Sequence, residues 1–520
     1  MPTISTDAFL SHPEVIDCLK KLKSKFGDKA ENLVVSDVLD SQGNQYVNLV
    51  QKGGGVLGVA LVGYTYILEQ MNIRFIRLAG TSAGAINTAL MTVIGGEDKD
   101  GNATAKGDKK RAKSVDILKA VCDLDFFSLV DGAPIAKWLI KNFITKTDFT
   151  TKLKSWILWL FIMLGILLAG DVVLLGFRTH FHNLISIAKI FVIVTAVFIV
   201  LVGAFVGYVT SLVKRLKDSG FGINPGNFFY DWIKKQLADN GVKTVTDLLS
   251  KASTPVPDLY LREDNPAGLS KLEGDVTFIS SELVTENKIE FPAMCHLFRK
   301  KADIDTLQPA GFVRASMSIP IFFESYFIDN IPCDTDEIRK AWEPLGEKNP
   351  PNVARFVDGG ILSNFPINIF YNPDVMVPRL PSFGIDLDDT KLPEDCKISA
   401  TVEEREVDES AKKDESRRPE DWSFGGYFYR MFNTARFYYD KDFLIKNAFY
   451  KKGIGTISLG GYNWLNFFLK DEDKIRMFVL GAKAATTFLE NFNWDEYKNE
   501  RNKMQQTLQK IHPVDAPSVG

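Results

Sequence analysis

The chain has 520 residues, a formal charge of −3 from 62 Lys plus Arg against 65 Asp plus Glu, 45% hydrophobic and 24% charged residues, and a mean hydropathy of −0.04. That profile excludes intrinsic disorder, collagen-like repeats and a disulfide-dense miniprotein, and it offers no bulk positive charge to favour nucleic acid. Five cysteines (Cys18, Cys122, Cys295, Cys333, Cys396) are odd in number and show no C-x-x-C spacing, which fits a reducing compartment.

In chain order, residues 1–30 read as a helical segment whose Lys20-Lys21 pair and broken apolar pattern do not make a secretory signal. The run YVNLVQK predicts a short strand, a glycine turn over Gly53 to Gly58, and then a helix with a small-residue face. Gly53, Gly55 and Gly58 satisfy the dinucleotide fingerprint G-x-G-x-x-G, but the acidic residue that should close the next strand is missing. That strand, RFIRLAG, runs instead into Gly80-Thr81-Ser82-Ala83-Gly84 and a helical pattern, AINTALMTVIGG. Small residues around Ser82 permit a sharp strand-to-helix turn that presents a hydroxyl beside a helix N-terminus. The amides of Gly53, Gly54 and Gly55 then acquire a role as oxyanion donors, each worth roughly 3 kcal/mol of barrier. Residues 97–113 read as a polar surface loop.

Residues 156–177 are apolar except for Asp171, and residues 190–209 carry no charge. Each run holds fourteen Leu, Ile, Val or Phe, worth about −4 to −8 kcal/mol on an insertion scale against roughly +3 for a central Asp. Both runs are therefore expected to insert in a lipid bilayer as an antiparallel hairpin, with Asp171 and Lys189 at matching depth and able to pair. Lys137, Lys141, Lys146, Lys152 and Lys154 precede the hairpin and Lys214, Arg215 and Lys217 follow it, while its tip has Arg178 and Lys189. The positive-inside rule then places both feet, and with them both termini, in the cytoplasm.

A serine nucleophile needs a base, and the five histidines offer little. His12 and His512 lie in terminal segments, His180 and His182 sit at the hairpin tip, and His296 follows the strand-like IEFPAMC. His296 is the one alternative base; the pair His180 and His182 is too small a set for a metal, and neither metal nor cofactor is expected. A carboxylate is available: the strand-like VARFV ends in Asp358-Gly359-Gly360, an acid at a strand terminus beside a glycine turn. Taken alone, an ordinary Asp-Gly turn is the better explanation.

Four motifs in order resemble the patatin-like phospholipase family: GGGVLG at 53–58, GTSAG at 80–84, VRASMSIPIFF at 313–323 and VDGGILSNFPI at 357–367. The resemblance implies an α/β fold with a parallel central sheet and flanking helices, related to the α/β hydrolases and here interrupted by the hairpin. It also implies a Ser-Asp dyad, with Ser82 as nucleophile, Asp358 as base, Gly53, Gly54 and Gly55 as oxyanion loop, and Gly58, Gly80, Gly84, Gly359 and Gly360 supporting the motifs. Arg314, Ser316, Ser318 and Pro320 match a block that shapes the family's site. Leu57 departs from the pattern, because the family commonly carries Arg or Lys there, so a preference for anionic phosphate headgroups does not carry over. The implied activity is cleavage of carboxylic esters in membrane lipid; acyl transfer by the same dyad, or a silent membrane scaffold, are the alternatives.

The expected organisation is an N-terminal segment (1–30), a catalytic domain in two parts (31–154 and 214–400) around the hairpin (155–213), a polar linker (401–421) and an aromatic-rich helical part (422–520). Eleven Phe or Tyr fall between Phe424 and Tyr450. They are read as core packing ahead of an acyl groove or a membrane-interface surface.

Overall fold

The computed structural model describes residues 4–95, 110–132, 134, 137, 149–177, 184–218, 220–262, 272–372, 375, 378–389 and 424–511. His180, His182, His512, Cys396, the proposed linker 401–421 and most of the loop 97–113 lie outside the described residues. The chain forms two compact units, one of residues 1–130, 226–320 and 325–520, the other of residues 131–225 with 321–324.

In the first unit, the described strands are β1 (Val38–Leu39), β2 (Gln45–Gln51), β3 (Ile73–Thr81), β5 (Tyr260–Leu261), β6 (Asp275–Glu282), β7 (Asn287–Phe291), β9 (Tyr326–Ile328), β10 (Ala354–Asp358), β11 (Ser382–Asp388) and β12 (Ile454–Ser458). They form one sheet whose main path runs β12-β11-β2-β3-β6-β10-β9. From β12 to β6 every pairing is parallel. Every residue of β2 is buried, and β3 is buried except at Arg77, as expected where helices cover both faces. The sheet is not parallel throughout, because β10 runs antiparallel to β6 and β9 antiparallel to β10. The strand that carries Asp358 thus enters from the opposite end of the sheet, a direction that a five-residue apolar run does not encode.

The predicted small-residue face is a packing surface. The helix Val59–Gln70 lies against the helix Asp471–Asn491. A β-carbon on Gly63 would fall 2.0 Å from the Phe478 carbonyl oxygen, and one on Gly481 would fall 2.0 Å from that of Ala60. Reciprocal glycines let the two backbones approach where any side chain would hold them apart. The late part of the chain also adds the edge strand β12, and Phe449, Tyr450, Trp494 and Tyr497 fill a core cluster with Val50 and Ala79 of the central strands. Core packing therefore accounts for the end of the aromatic segment.

In the second unit, β4 (Gly222–Asn224) pairs in parallel with β8 (Ile321–Phe323). Two helices, Phe149–Phe177 and Leu184–Asp218, pack together, and a β-carbon on Gly170 would meet the Phe191 ring at 2.6 Å. Among the described residues, Lys189–Tyr208 is the one helical stretch long and apolar enough to cross a membrane; Leu158–Leu174 is a shorter apolar stretch. Large side chains that would ordinarily seek a core stand in the open, with Phe161 69% and Val172 71% exposed on one helix and Val200 68% on the other. The Asp171–Lys189 pair does not form among the described residues, and Asp171 Oδ1 is enclosed without a hydrogen-bond partner.

Candidate active site

β3 ends at Thr81, and Ser82 turns the chain into the helix Ala83–Val93 with φ 53° and ψ −118°. A positive φ is costly for a residue with a β-carbon, so the surroundings must hold it. They do so by close approach: a β-carbon on Gly80 would lie 2.4 Å from the Gly84 carbonyl, and one on Gly84 would lie 2.2 Å from the Gln51 carbonyl oxygen. Ser82 is 4% exposed, and its backbone N–H donates to Ser316 Oγ at 3.0 Å.

Register brings the second residue to the first. On β6, Ile279 pairs with Thr81 while the next residue, Ser280, pairs with Asp358. Asp358 therefore ends its antiparallel strand level with the end of β3, one strand across. Its backbone N–H donates to the Ser318 carbonyl at 2.8 Å, so the end of the helix Pro309–Ser316 and the residues just after it hold both residues, Ser82 through Ser316 and Asp358 through Ser318. Arg314 in turn hydrogen-bonds Ser318 Oγ, which donates to the Arg314 carbonyl at 2.7 Å. The Asp358 carboxylate accepts the Gly360 N–H at 2.7 Å, and the Ser82 side chain acts on it. Burial pushes the carboxyl above its ordinary range, while Ser82, the Gly360 amide and the Arg436 guanidinium pull the other way. A β-carbon on Gly359 would fall 2.1 Å from the Ile279 carbonyl oxygen, which explains why the turn after Asp358 starts with glycine.

The glycine loop differs in one respect from the expectation that three amides are available. The Gly53 N–H donates to the Asn364 carbonyl at 3.0 Å, and Asn364 Nδ2 donates back to the Gly53 carbonyl at 3.2 Å. That reciprocal pair fastens the loop to the Asp358 turn and spends one of the three donors. Among the described residues, no hydrogen bond takes up the Gly54 or Gly55 N–H. Gly55 has φ +55°, and a side chain there would strike the Trp464 carbonyl oxygen at 2.2 Å. A β-carbon on Gly58 would lie 3.0 Å from the Ala83 β-carbon, at the start of the helix that follows Ser82.

The family model for patatin-like phospholipase matches residues 49–192 and 206–371, a range that includes both Ser82 and Asp358. The chain belongs to this family. It is 23% identical over 325 residues, 62% of its own length and 67% of the other's, to the uncharacterized protein YqhO of Bacillus subtilis. Among solved structures it is similar to VipD from Legionella pneumophila, at 14% identity and a TM-score of 0.35 over 86% of this chain and 68% of the other.

Beside Ser82 this patatin-like phospholipase has a cavity of roughly 70 Å³, lined almost wholly by apolar side chains such as Val59, Ile86, Leu90, Phe229 and Met317. Asn87 also borders it; its Nδ2 donates to Gln51, and its Oδ1 is buried without a partner. His296 lies apart from these contacts, in an exposed turn where Nδ1 bonds with the Ala293 carbonyl at 2.9 Å. Leu57 is buried, and the nearby Lys52 ammonium is engaged by Asp386 Oδ1 at 2.6 Å and the Leu387 carbonyl at 2.9 Å. Among the described residues, no group of three or more His, Cys, Asp or Glu gathers as a metal set.

Sequence reading missed two residues of the helix Phe424–Lys446. Arg436 Nε donates to the Gly360 carbonyl, and Asp440 accepts from Ser363 Oγ at 2.7 Å and the Phe365 N–H at 2.8 Å. In the sequence they are ordinary charges within an aromatic helix, and no local pattern marks them.

Proposed function

We propose that this patatin-like phospholipase is a membrane-anchored lipid acyl hydrolase of phospholipase A or lysophospholipase type, with Ser82 as nucleophile and Asp358 as base. The observation that carries the reading is the register that ends β3 and β10 at one level across β6, with the Ser82 side chain acting on the buried Asp358 carboxylate. As Ser82 Oγ adds to the ester carbonyl, its proton passes to Asp358, and the carbonyl oxygen gains the charge that the Gly54 and Gly55 amides would receive. Collapse expels the alcohol portion of the lipid, which takes the proton from Asp358. Water then attacks the acyl-serine, gives its proton to Asp358 and leaves the free fatty acid, and Ser82 recovers its hydrogen. The apolar cavity beside Ser82 fits an acyl chain better than a headgroup.

Product analysis tests the reaction type. Vesicles of phosphatidylcholine or lysophosphatidylcholine incubated with the protein should yield free fatty acid, and added glycerol should not divert the acyl group into a new ester. An acylated glycerol would favour transfer; no product from any ester would favour a silent scaffold.

The anchor in this reading is the hairpin of residues 156–177 and 190–209, with the catalytic part and both termini on the cytoplasmic side. It is supported by the exposed apolar faces and by the lysines on the two feet. A covalent tether replaces reversible docking and raises the local concentration of lipid. Deleting residues 155–213 is expected to leave hydrolysis of a soluble ester largely intact while slowing attack on vesicle lipid by about a hundredfold or more. Equal loss on both substrates would count against a tether.

A further inference from the structure

Among the described residues, the helix Phe424–Lys446 grips the turn that carries Asp358 at Gly360, Ser363 and Phe365. After Asp358, the end of β10, residues 359–365 make no regular element beyond one 3-10 turn, Gly359–Ile361, yet this segment must hold the base in place, anchor the glycine loop through Asn364 and receive the Thr81 hydroxyl, which donates to the Ser363 carbonyl at 3.0 Å. Arg436 and Asp440 stand one helical turn apart, so both point to the same side of the helix Phe424–Lys446. Arg436 takes the Gly360 carbonyl, and its Nη2 lies 3.0 Å from where a Gly360 β-carbon would be, the same point that is 2.9 Å from Asp358 Oδ1. Asp440, 7% exposed, spends one oxygen on Ser363 Oγ and the other on the Phe365 N–H.

We propose that Arg436 and Asp440 are positioning residues for the reaction: together they clamp the 358–365 turn so that the Asp358 carboxylate meets the Ser82 hydroxyl, with the Arg436 guanidinium as the cation beside that carboxylate. The inference rests on Asp358 being the base. The geometry divides the labour. Asp440 grips the far half of the turn, at Ser363 and Phe365, while Arg436 grips the near half and, among the described residues, is the one charged side chain acting on Asp358, on which the Ser82 hydroxyl and the Gly360 amide also act. The charges around Asp440 are balanced separately: Lys288 on β7 acts on it, and that ammonium also pairs with Glu290 at 2.9 Å and lies 5.0 Å from the Tyr439 ring.

The two residues should therefore fail differently, and pH profiles of kcat and kcat/KM on a soluble ester separate them. Arg436→Met is expected to lower plateau kcat about tenfold or more with KM little changed, and to move the acid limb up by about one pH unit, because the cation that favours ionised Asp358 is gone. Arg436→Lys restores a cation without the planar fork, so its acid limb should return toward that of the wild type while kcat stays reduced. Asp440→Asn is expected to lower kcat about tenfold while leaving the acid limb in place. Titration with a fluorophosphonate counts the intact sites, so each rate refers to folded protein. An Arg436→Met limb that coincides with wild type, or a loss of rate equal at every pH, overturns the role of Arg436. Should that variant not fold, Asp440→Asn decides alone, since an unchanged kcat overturns the clamp. Asp358→Asn keeps the two questions apart. If it stays active, the assignment of the base fails; if it is inactive while the Arg436 and Asp440 variants behave as wild type, only the clamp fails.

Discussion

Ser82→Ala is expected to lower ester hydrolysis by about 10⁴- to 10⁶-fold and to abolish labelling by a fluorophosphonate, with the fold intact. The substitution removes one oxygen and nothing else. Alanine keeps the β-carbon that already tolerates φ 53° at this turn, and the backbone N–H still reaches Ser316 Oγ. The one structural cost is the hydroxyl lost from beside the buried Asp358 carboxylate, of the order of 1 kcal/mol, and the Gly360 amide and Arg436 remain to serve that group. A thermal midpoint within a few degrees of wild type, with no detectable turnover, is the expected pair of results. Turnover above about 1% of wild type would remove Ser82 from the chemistry, since the oxyanion donors and substrate binding alone leave far less than that.

Asp358→Asn should be as damaging to the rate, yet it should not destabilise the protein. The amide cannot accept the Ser82 proton, so acylation loses its base; its oxygen can still receive the Gly360 N–H that now bonds to Oδ1. The stability argument follows from the raised carboxyl. Below the ordinary carboxylate range both folded and unfolded chains hold the proton, and the group contributes nothing to pH dependence. Between the unfolded value and the higher folded value, the folded chain holds a proton that the unfolded chain has released, so stability falls as pH rises, and above that window the deficit is constant. The neutral amide has no such step. At neutral pH the variant should melt at or above the wild-type temperature, and the difference should shrink as pH is lowered through the window. The same displacement governs catalysis: kcat/KM is lost as pH falls through an acid limb that lies above the usual carboxylate range. A variant that melts well below wild type at neutral pH would show that the carboxylate contributes more to the fold than its burial costs.

How much of this was legible without a structure depends on the range of the interaction. The strand, glycine turn and helix from Gln45 to Gln70, and the strand-to-helix turn at Ser82, were readable because each rests on a local demand. Glycine is needed where a β-carbon would strike a neighbouring backbone, as at Gly80, Gly84 and Gly359, and that need leaves a mark at one position. The exposed apolar helices were readable for the same reason, since composition alone decides how a run of side chains partitions. The acid at Asp358 was legible only through its ordered motif; by itself it was one more Asp-Gly turn.

Other features depend on which distant segments come together. An antiparallel β10 places Asp358 opposite Ser280, level with the end of β3; the same five residues running the other way would put the acid at another height. The Gly53 amide looks free in sequence and is spent on Asn364, a residue 311 positions away. Arg436 and Asp440 reach the turn across 76 and 77 positions, and a charged residue in a helix has the same local appearance whether it faces water or a buried carbonyl. By itself, then, the sequence determined which residues are candidates for chemistry and where the backbone must bend, because those are requirements of single positions. Tertiary structure alone decided strand direction, register and which hydrogen-bonding groups are already taken, because these follow from the partner each group meets and no residue carries its partner's identity.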